Sequence, residues 1–380
     1  MRAAPRKSTA ALVAALALTL TAARAPVAGA APAHPPRAAA IHARAADGRA
    51  ARASRARAQA FLLTSAPDSF ADLRAHAAQV GVVYPTYYEC ERGSGRLTGV
   101  DLPAIDGFAR ANRIALMPRF TCQDGATVHR LLTDTVLRAA TLAALARLAA
   151  RHAFDGVCVD LENDGARDRE ALSSFVAALA RELHAHGRRL TVVVDGVSEE
   201  RPGSSTAFYD DSALAAAADT VFVLAWGAHW AGSPPGPLAP LSDVAGVVRH
   251  IASLPHRSRF VIGAPMYGID WVQGVPTLPA GSGAPPTGPA GFGKAYQYSG
   301  IRSLLGASGV RATRDAESRE MTFAYTDSSG VAHSVWYMDA RAVLGVLAIA
   351  RADGLRVGLW RLGEEDQSMW SSPLLGAPAG

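Results

Sequence analysis

Cysteine is scarce in this chain: three in 380 residues, with no Cys-x-x-Cys pair. That excludes a zinc ribbon and a dithiol redox motif, and no other cluster of side chains has metal-ligand spacing. Beyond residue 23 there is no apolar run long enough to cross a bilayer. No glycine-rich phosphate turn follows the first apolar run, which argues against an open nucleotide-binding sheet. A nucleophilic Ser-His-Asp set is also missing, His229 and His333 read as loop or structural histidines, and no internal repeat is found. The chain therefore predicts no cofactor, no metal and no membrane span.

The amino terminus is the part richest in one sign of charge. Residues 1–57 hold ten Lys or Arg against a single acid, Asp47, so within a total of +5 the remainder carries −4. The basic balance therefore gives no reason to expect a nucleic-acid partner. Arg2, Arg6 and Lys7 precede an apolar run from Ala10 to Ala23, and Ala28-Gly29-Ala30 offers a small-residue cleavage site. Residues 1–30 predict a secretory signal peptide, hence an exported, extracellular protein. Residues 31–57 are mostly Ala, Arg and Pro, with Ile41 the one large hydrophobe, and predict a disordered spacer. Such a spacer is either an inert linker or a contact to an anionic cell wall.

Eight short apolar runs follow, beginning near Ala60, Val80, Ile114, Gly156, Leu190, Val221, Phe260 and Val357. Most are followed by helical periodicity. Leu172, Phe175, Val176, Leu179 and Leu183 make a one-sided stripe stopped by Gly187, and Leu142, Leu145 and Leu148 make another. Eight strand-helix units predict a closed (β/α)8 TIM barrel over residues 58–375, expected to act as a monomer. The interval from Trp271 to Ala340 is too long for a loop. It predicts a small α+β insertion at about 272–338, between strand seven and the last helix. This has a short helix near Ile301–Leu305 and a hairpin turning at Asp327-Ser328-Ser329-Gly330.

The chemistry concentrates in Phe154-Asp155-Gly156-Val157-Cys158-Val159-Asp160-Leu161-Glu162-Asn163. Strand alternation puts Cys158, Asp160 and Glu162 on one face and Val157, Val159 and Leu161 on the other. Two acids two residues apart on an apolar strand are costly to bury, and each can push the other's pKa, leaving one carboxylate and one general acid. Cys90 ends the second strand and Cys122 the third. Neighbouring parallel strands bring those ends together, so an exported protein is expected to oxidise them to a disulfide, leaving Cys158 a buried thiol.

Asp155-Gly156-x-x-x-Asp160-x-Glu162 resembles the fourth-strand signature of glycoside hydrolase family 18, the chitinases and related N-acetylglucosaminidases. Gly263-Ala264-Pro265-Met266-Tyr267-Gly268-Ile269-Asp270-Trp271 resembles its seventh strand, and Trp360 its eighth-strand tryptophan. The run His229 to Pro237 and the run Val335 to Arg341 are similar to the branch of spore-cortex-lytic N-acetylglucosaminidases. The resemblance implies a β-linked, N-acetylated glycan as substrate, from chitin or peptidoglycan, cleaved by substrate-assisted retention. Glu162 would protonate the leaving oxygen, Asp160 would orient the substrate's acetamido group, and Asp155 would support the strand from below. Trp360 would floor the sugar site, with Trp226, Trp230, Tyr267, Met266 and Trp271 around it. The chain departs from the family pattern at Cys158, where chitinases carry a third Asp, at Trp226 in place of a Tyr, and at Gly227 in place of an Asp. Without an acid at 158, Asp160 is expected to lack an acidic neighbour. A chitolectin that binds amino sugars without cutting them is the alternative.

Overall fold

A computed structural model describes residues 57–152, 154–163, 165–198, 205–274 and 293–376. The predicted signal peptide, nearly all of the predicted spacer and the Gly/Pro-rich stretch 275–292 lie outside the described residues. The strands are β1 (Ala58–Leu62), β2 (Val80–Pro85), β3 (Tyr88–Cys90), β4 (Leu97–Gly99), β5 (Ala115–Leu116), β6 (Arg119–Cys122), β7 (Gly156–Leu161) and β8 (Arg189–Asp195). They continue with β9 (Thr220–Leu224), β10 (Phe260–Pro265), β11 (Tyr267–Val272), β12 (Lys294–Gln297), β13 (Thr313–Arg314), β14 (Met321–Thr326), β15 (Ala332–Tyr337) and β16 (Arg356–Trp360).

The large sheet runs β4-β3-β6-β7-β8-β9-β10-β16-β1-β2-β5. Its two ends are one piece of chain: β2 and β3 are successive halves of the second barrel strand, β5 and β6 of the third. β2 pairs with β5 and β3 with β6, both parallel, so the ring closes as a (β/α)8 barrel. Pro85 and Pro118 stand at the two breaks, where a residue without an N–H cannot continue the ladder. Helices lie between the strands. The predicted stripe of Leu172, Phe175, Val176, Leu179 and Leu183 is buried on the helix Arg169–Ala185.

Alternation sorts the strand side chains into two cores. Val157, Val159 and Leu161 pack outward beneath the helices. Phe61, Tyr84, Met117, Cys158, Val193, Phe222 and Val261 fill the barrel interior. Two inward glycines make room there. A Cβ at Gly263 or Gly358 would come within 2.4 or 2.2 Å of the Phe222 ring, which occupies their space.

The run Gly263–Trp271 is not the single strand the sequence predicts. The barrel strand stops at Pro265, and Tyr267 opens a second, antiparallel sheet ordered β12-β11-β15-β14-β13. Met266 is the pivot: its N–H donates to the Trp360 carbonyl at 2.8 Å, while the Tyr267 carbonyl accepts from Met338 N at 3.1 Å. The insertion thus begins at Tyr267 rather than near 272. It holds the helix Tyr298–Ser308 and the β14–β15 hairpin turning over Asp327–Gly330.

Candidate functional site

Glu162 and Asp160 stand at the carboxyl end of β7, the end where barrels of this kind hold their sites. Register places β6 beside them: Arg119 lies level with Cys158 and Thr121 with Asp160. The Glu162 N–H donates to the Cys122 carbonyl at 2.9 Å and carries the pairing one step further. Inward side chains therefore meet across the two strands in rows.

Asp160 has no acidic neighbour at position 158, as expected, but it has a cation. The Arg119 guanidinium donates to Asp160 Oδ2 from Nε at 2.6 Å and again from Nη2. Asp160 is 2 % exposed, and its Oδ1 is buried with no hydrogen-bond partner. The guanidinium also sits 5.2 Å from the centroid of the Trp360 ring and 6.0 Å from that of Phe61, so one cation joins the acid to the aromatic floor.

Glu162 is half-buried, and its Oε1 accepts from Gln123 Nε2 at 2.7 Å. Burial pushes its pKa up to about 7, with the charges of Asp160 and Asp195 adding to the rise and Gln123 and Arg119 opposing it. The site therefore offers a carboxylic acid that keeps a substantial protonated fraction near neutrality, beside a buried Asp paired to arginine. Beneath them the Cys158 thiol is driven up by burial and by Asp160, which makes it a packing group rather than a nucleophile.

The aromatic residues divide. Trp360 and Trp226 are half-buried, with ring centroids 6.4 Å apart, and both pack on the barrel interior. Trp230 is half-buried on the loop after β9, its ring laid against Gly232, where a Cβ would approach within 2.3 Å. Tyr267 is half-buried at the start of β11, and desolvation raises its hydroxyl pKa. Two predicted binding residues do not fit that role. Met266 is fully buried in the core, and Trp271, 3 % exposed, packs in the insertion and donates Nε1–H to the Trp230 carbonyl at 3.2 Å. Neither presents a surface to a sugar. Asp155 is at the opposite end of β7, about 16 Å from Asp160 at the usual rise per residue. There it accepts from Leu116 N at 2.8 Å, so it braces the strand from outside the cleft.

Three residues of the site escape the sequence reading: Arg119, Gln123 and Asp195. Asp195 repeats the signal that marked Asp160, an acid closing an apolar strand. Arg119 was visible as an arginine inside an apolar run, a charge that burial tolerates only with a partner. Gln123 carries no local signal. The disulfide forms as predicted between Cys90 and Cys122, Cα atoms 5.1 Å apart, one residue before Gln123. Cys158 is the buried free thiol. His333 is structural as expected, bonded to Asp270 Oδ1 at 2.9 Å and stacked on Tyr325. Among the described residues no three His, Cys, Asp or Glu side chains are grouped to hold a metal ion.

Residues 116–365 match the model of the glycosyl hydrolases family 18. The chain belongs to that family. Among curated proteins it is 29 % identical over 238 residues to YdhD of Bacillus subtilis (strain 168), covering 62 % of this chain and 53 % of that one. It is 25 % identical over 245 residues to the cortical fragment-lytic enzyme of Bacillus anthracis, covering 63 % of this chain and 54 % of that one. The chain thus spans about half the length of these curated relatives. Among solved structures, the chitinase of Chromobacterium violaceum ATCC 12472 superposes with a TM-score of 0.72 at 25 % identity, over 83 % of this chain and 96 % of that one. The spore cortex-lytic enzyme SleL of Bacillus cereus gives 0.71 at 20 % identity, over 84 % and 73 %.

Proposed function

We propose that this protein is an exported glycoside hydrolase that cleaves β-linked N-acetylglucosamine-containing glycans by substrate-assisted retention. The observation that carries the reading is Glu162: a half-buried carboxyl with a pKa of about 7, at a barrel strand end beside Asp160 and near the tryptophan pair Trp360 and Trp226. Glu162 gives its proton to the leaving glycosidic oxygen. The acetamido oxygen of the substrate attacks the anomeric carbon as that bond breaks, forming an oxazolinium. Asp160 Oδ1, which has no donor of its own, accepts from the acetamido N–H and sets the amide for attack. Water activated by the Glu162 carboxylate then opens the ring, returning the proton and the β-configuration. Trp360 supplies the apolar face on which the sugar stacks. Relatives named as a chitinase and as a cortical fragment-lytic enzyme agree with chitooligosaccharide or peptidoglycan glycan as the substrate class. Export follows from residues 1–30, and the basic spacer suits a protein working against an anionic wall.

One observation favours the alternative, amino-sugar binding without cleavage. The Arg119 ion pair offsets part of the negative charge that Asp160 would offer the oxazolinium. The two readings separate in one experiment: incubation with chitin, chitooligosaccharide and peptidoglycan glycan, with proton NMR of fresh product. Hydrolysis should release the β-anomer first, and Glu162→Gln should lose at least about 10²–10⁴-fold in rate while retaining ligand binding. An α-anomer as first product excludes acetamido participation. Binding without any turnover replaces the hydrolase with the lectin.

A further inference from the structure

β6 and Gln123, the residue after Cys122, carry no acid, yet their side chains engage both carboxylates at the end of the neighbouring strand. Arg119 occupies Oδ2 of Asp160 and leaves Oδ1 without a partner. Gln123 donates an amide N–H to Oε1 of Glu162. That group cannot accept a hydrogen bond, so Oε1 serves as an acceptor in both protonation states, and the proton of the acid form belongs on Oε2. We infer that Arg119 and Gln123 are positioning residues that each engage one oxygen of a carboxylate and leave the other for the reaction.

This rests on the hydrolase reading. The register makes it possible: Thr121 is level with Asp160, so two residues on, Gln123 falls beside Glu162. The backbone there is held on both sides. Cys122 is bridged to Cys90, and its carbonyl receives the Glu162 N–H. Gln123 itself is exposed and packs in no core cluster, so fold stability does not account for its contact with Glu162. The charged groups acting on Glu162 are Asp160 on its own strand, Arg119 on β6 and Asp195 on β8. Gln123 is the neutral donor among them.

The test is a carbon-13 NMR titration of the Glu162 carboxyl in wild type and Gln123→Met, with Glu162→Gln providing the assignment. The Gln123 N–H favours the ionised form, so its removal should raise the midpoint by roughly half a unit to one unit. In hydrolysis of a chitooligosaccharide the alkaline limb should move up with it. At pH 6 kcat should fall about tenfold, with KM within about threefold of wild type, because the acid stays protonated but is no longer aimed. Arg119→Lys keeps the charge and loses the two-point geometry, and should show the same split between kcat and KM. A Glu162 midpoint unmoved in Gln123→Met, or a kcat unmoved in both variants, overturns the inference. If wild type hydrolyses no N-acetylated glycan, the functional reading fails, while the NMR midpoint still decides whether Gln123 acts on Glu162.

Discussion

In the proposed function Trp360 is the residue on which the cleft's floor depends. Its ring is held by neighbours rather than by the ligand: Phe61 lies 4.9 Å away between centroids, Trp226 6.4 Å, and the Arg119 guanidinium 5.2 Å. A ring already fixed loses little entropy when a sugar stacks on it, so more of the contact energy reaches the affinity. Trp360→Ala is expected to weaken binding of N-acetylglucosamine oligomers by about 1–3 kcal/mol while the fold survives. Titration calorimetry on an inactive background would read this directly. An unchanged dissociation constant would move the sugar site away from the eighth strand. Met266 and Trp271 look like binding residues in the sequence, yet both side chains are buried in the structure. Aromatic and thioether side chains near a strand end have the same appearance whether they face the cleft or the core, and only the pivot at Met266 decides between them.

At the level of elements, the disulfide closes the open corner of the barrel. β3 and β6 share only two paired positions, Tyr88 with Phe120 and Glu89 with Thr121, before the bridge takes over. Cross-linking residues 32 apart removes chain entropy from the unfolded state, worth roughly 2–4 kcal/mol for a loop of that size. The double variant Cys90→Ser, Cys122→Ser should lose stability of that order in urea unfolding, and equal midpoints for bridged and unbridged protein would refute the estimate. Much of the element order was legible because each barrel strand is an apolar run and each long helix a stripe, two periods that local sequence displays. Strand ends were less legible. The break at Pro118 and the turn-out at Tyr267 depend on which ladder the backbone joins, which is a tertiary choice. Asp160 and Glu162 could be read because they violate an apolar pattern. Gln123 could not, since a polar residue after a strand is ordinary until its neighbour is known.

For the molecule as a whole, several buried or half-buried carboxyls have raised pKa values. Glu162, Glu320 and Glu364 have pKa values of about 7 and Glu365 about 9, burial being the largest cause in each case. In the unfolded chain the same groups titrate near 4.3. Folded values above unfolded ones mean that their favourable contribution is complete below about pH 4 and is lost as pH rises through 7 to 9. Glu91, Asp124, Asp134, Asp315 and Asp327, held low mainly by hydrogen bonds, act in the opposite sense and only in acid. Melting temperature should therefore fall between pH 6 and pH 9. A flat or rising profile over that interval would show that these groups relax to water as the protein ionises.

The sulfur of Cys158 lies at the hub of the eight-strand ring, under the Asp160 layer and walled by Tyr84, Met117 and Phe222. The chain has three cysteines and the other two are bonded to each other, so this is its one free thiol. The thiol is fully buried, so a labelling reagent reaches it only when the structure around it opens. The rate at which that thiol becomes chemically accessible is thus a clock for the opening of the barrel itself, kept at its centre and insensitive to fraying at the rim.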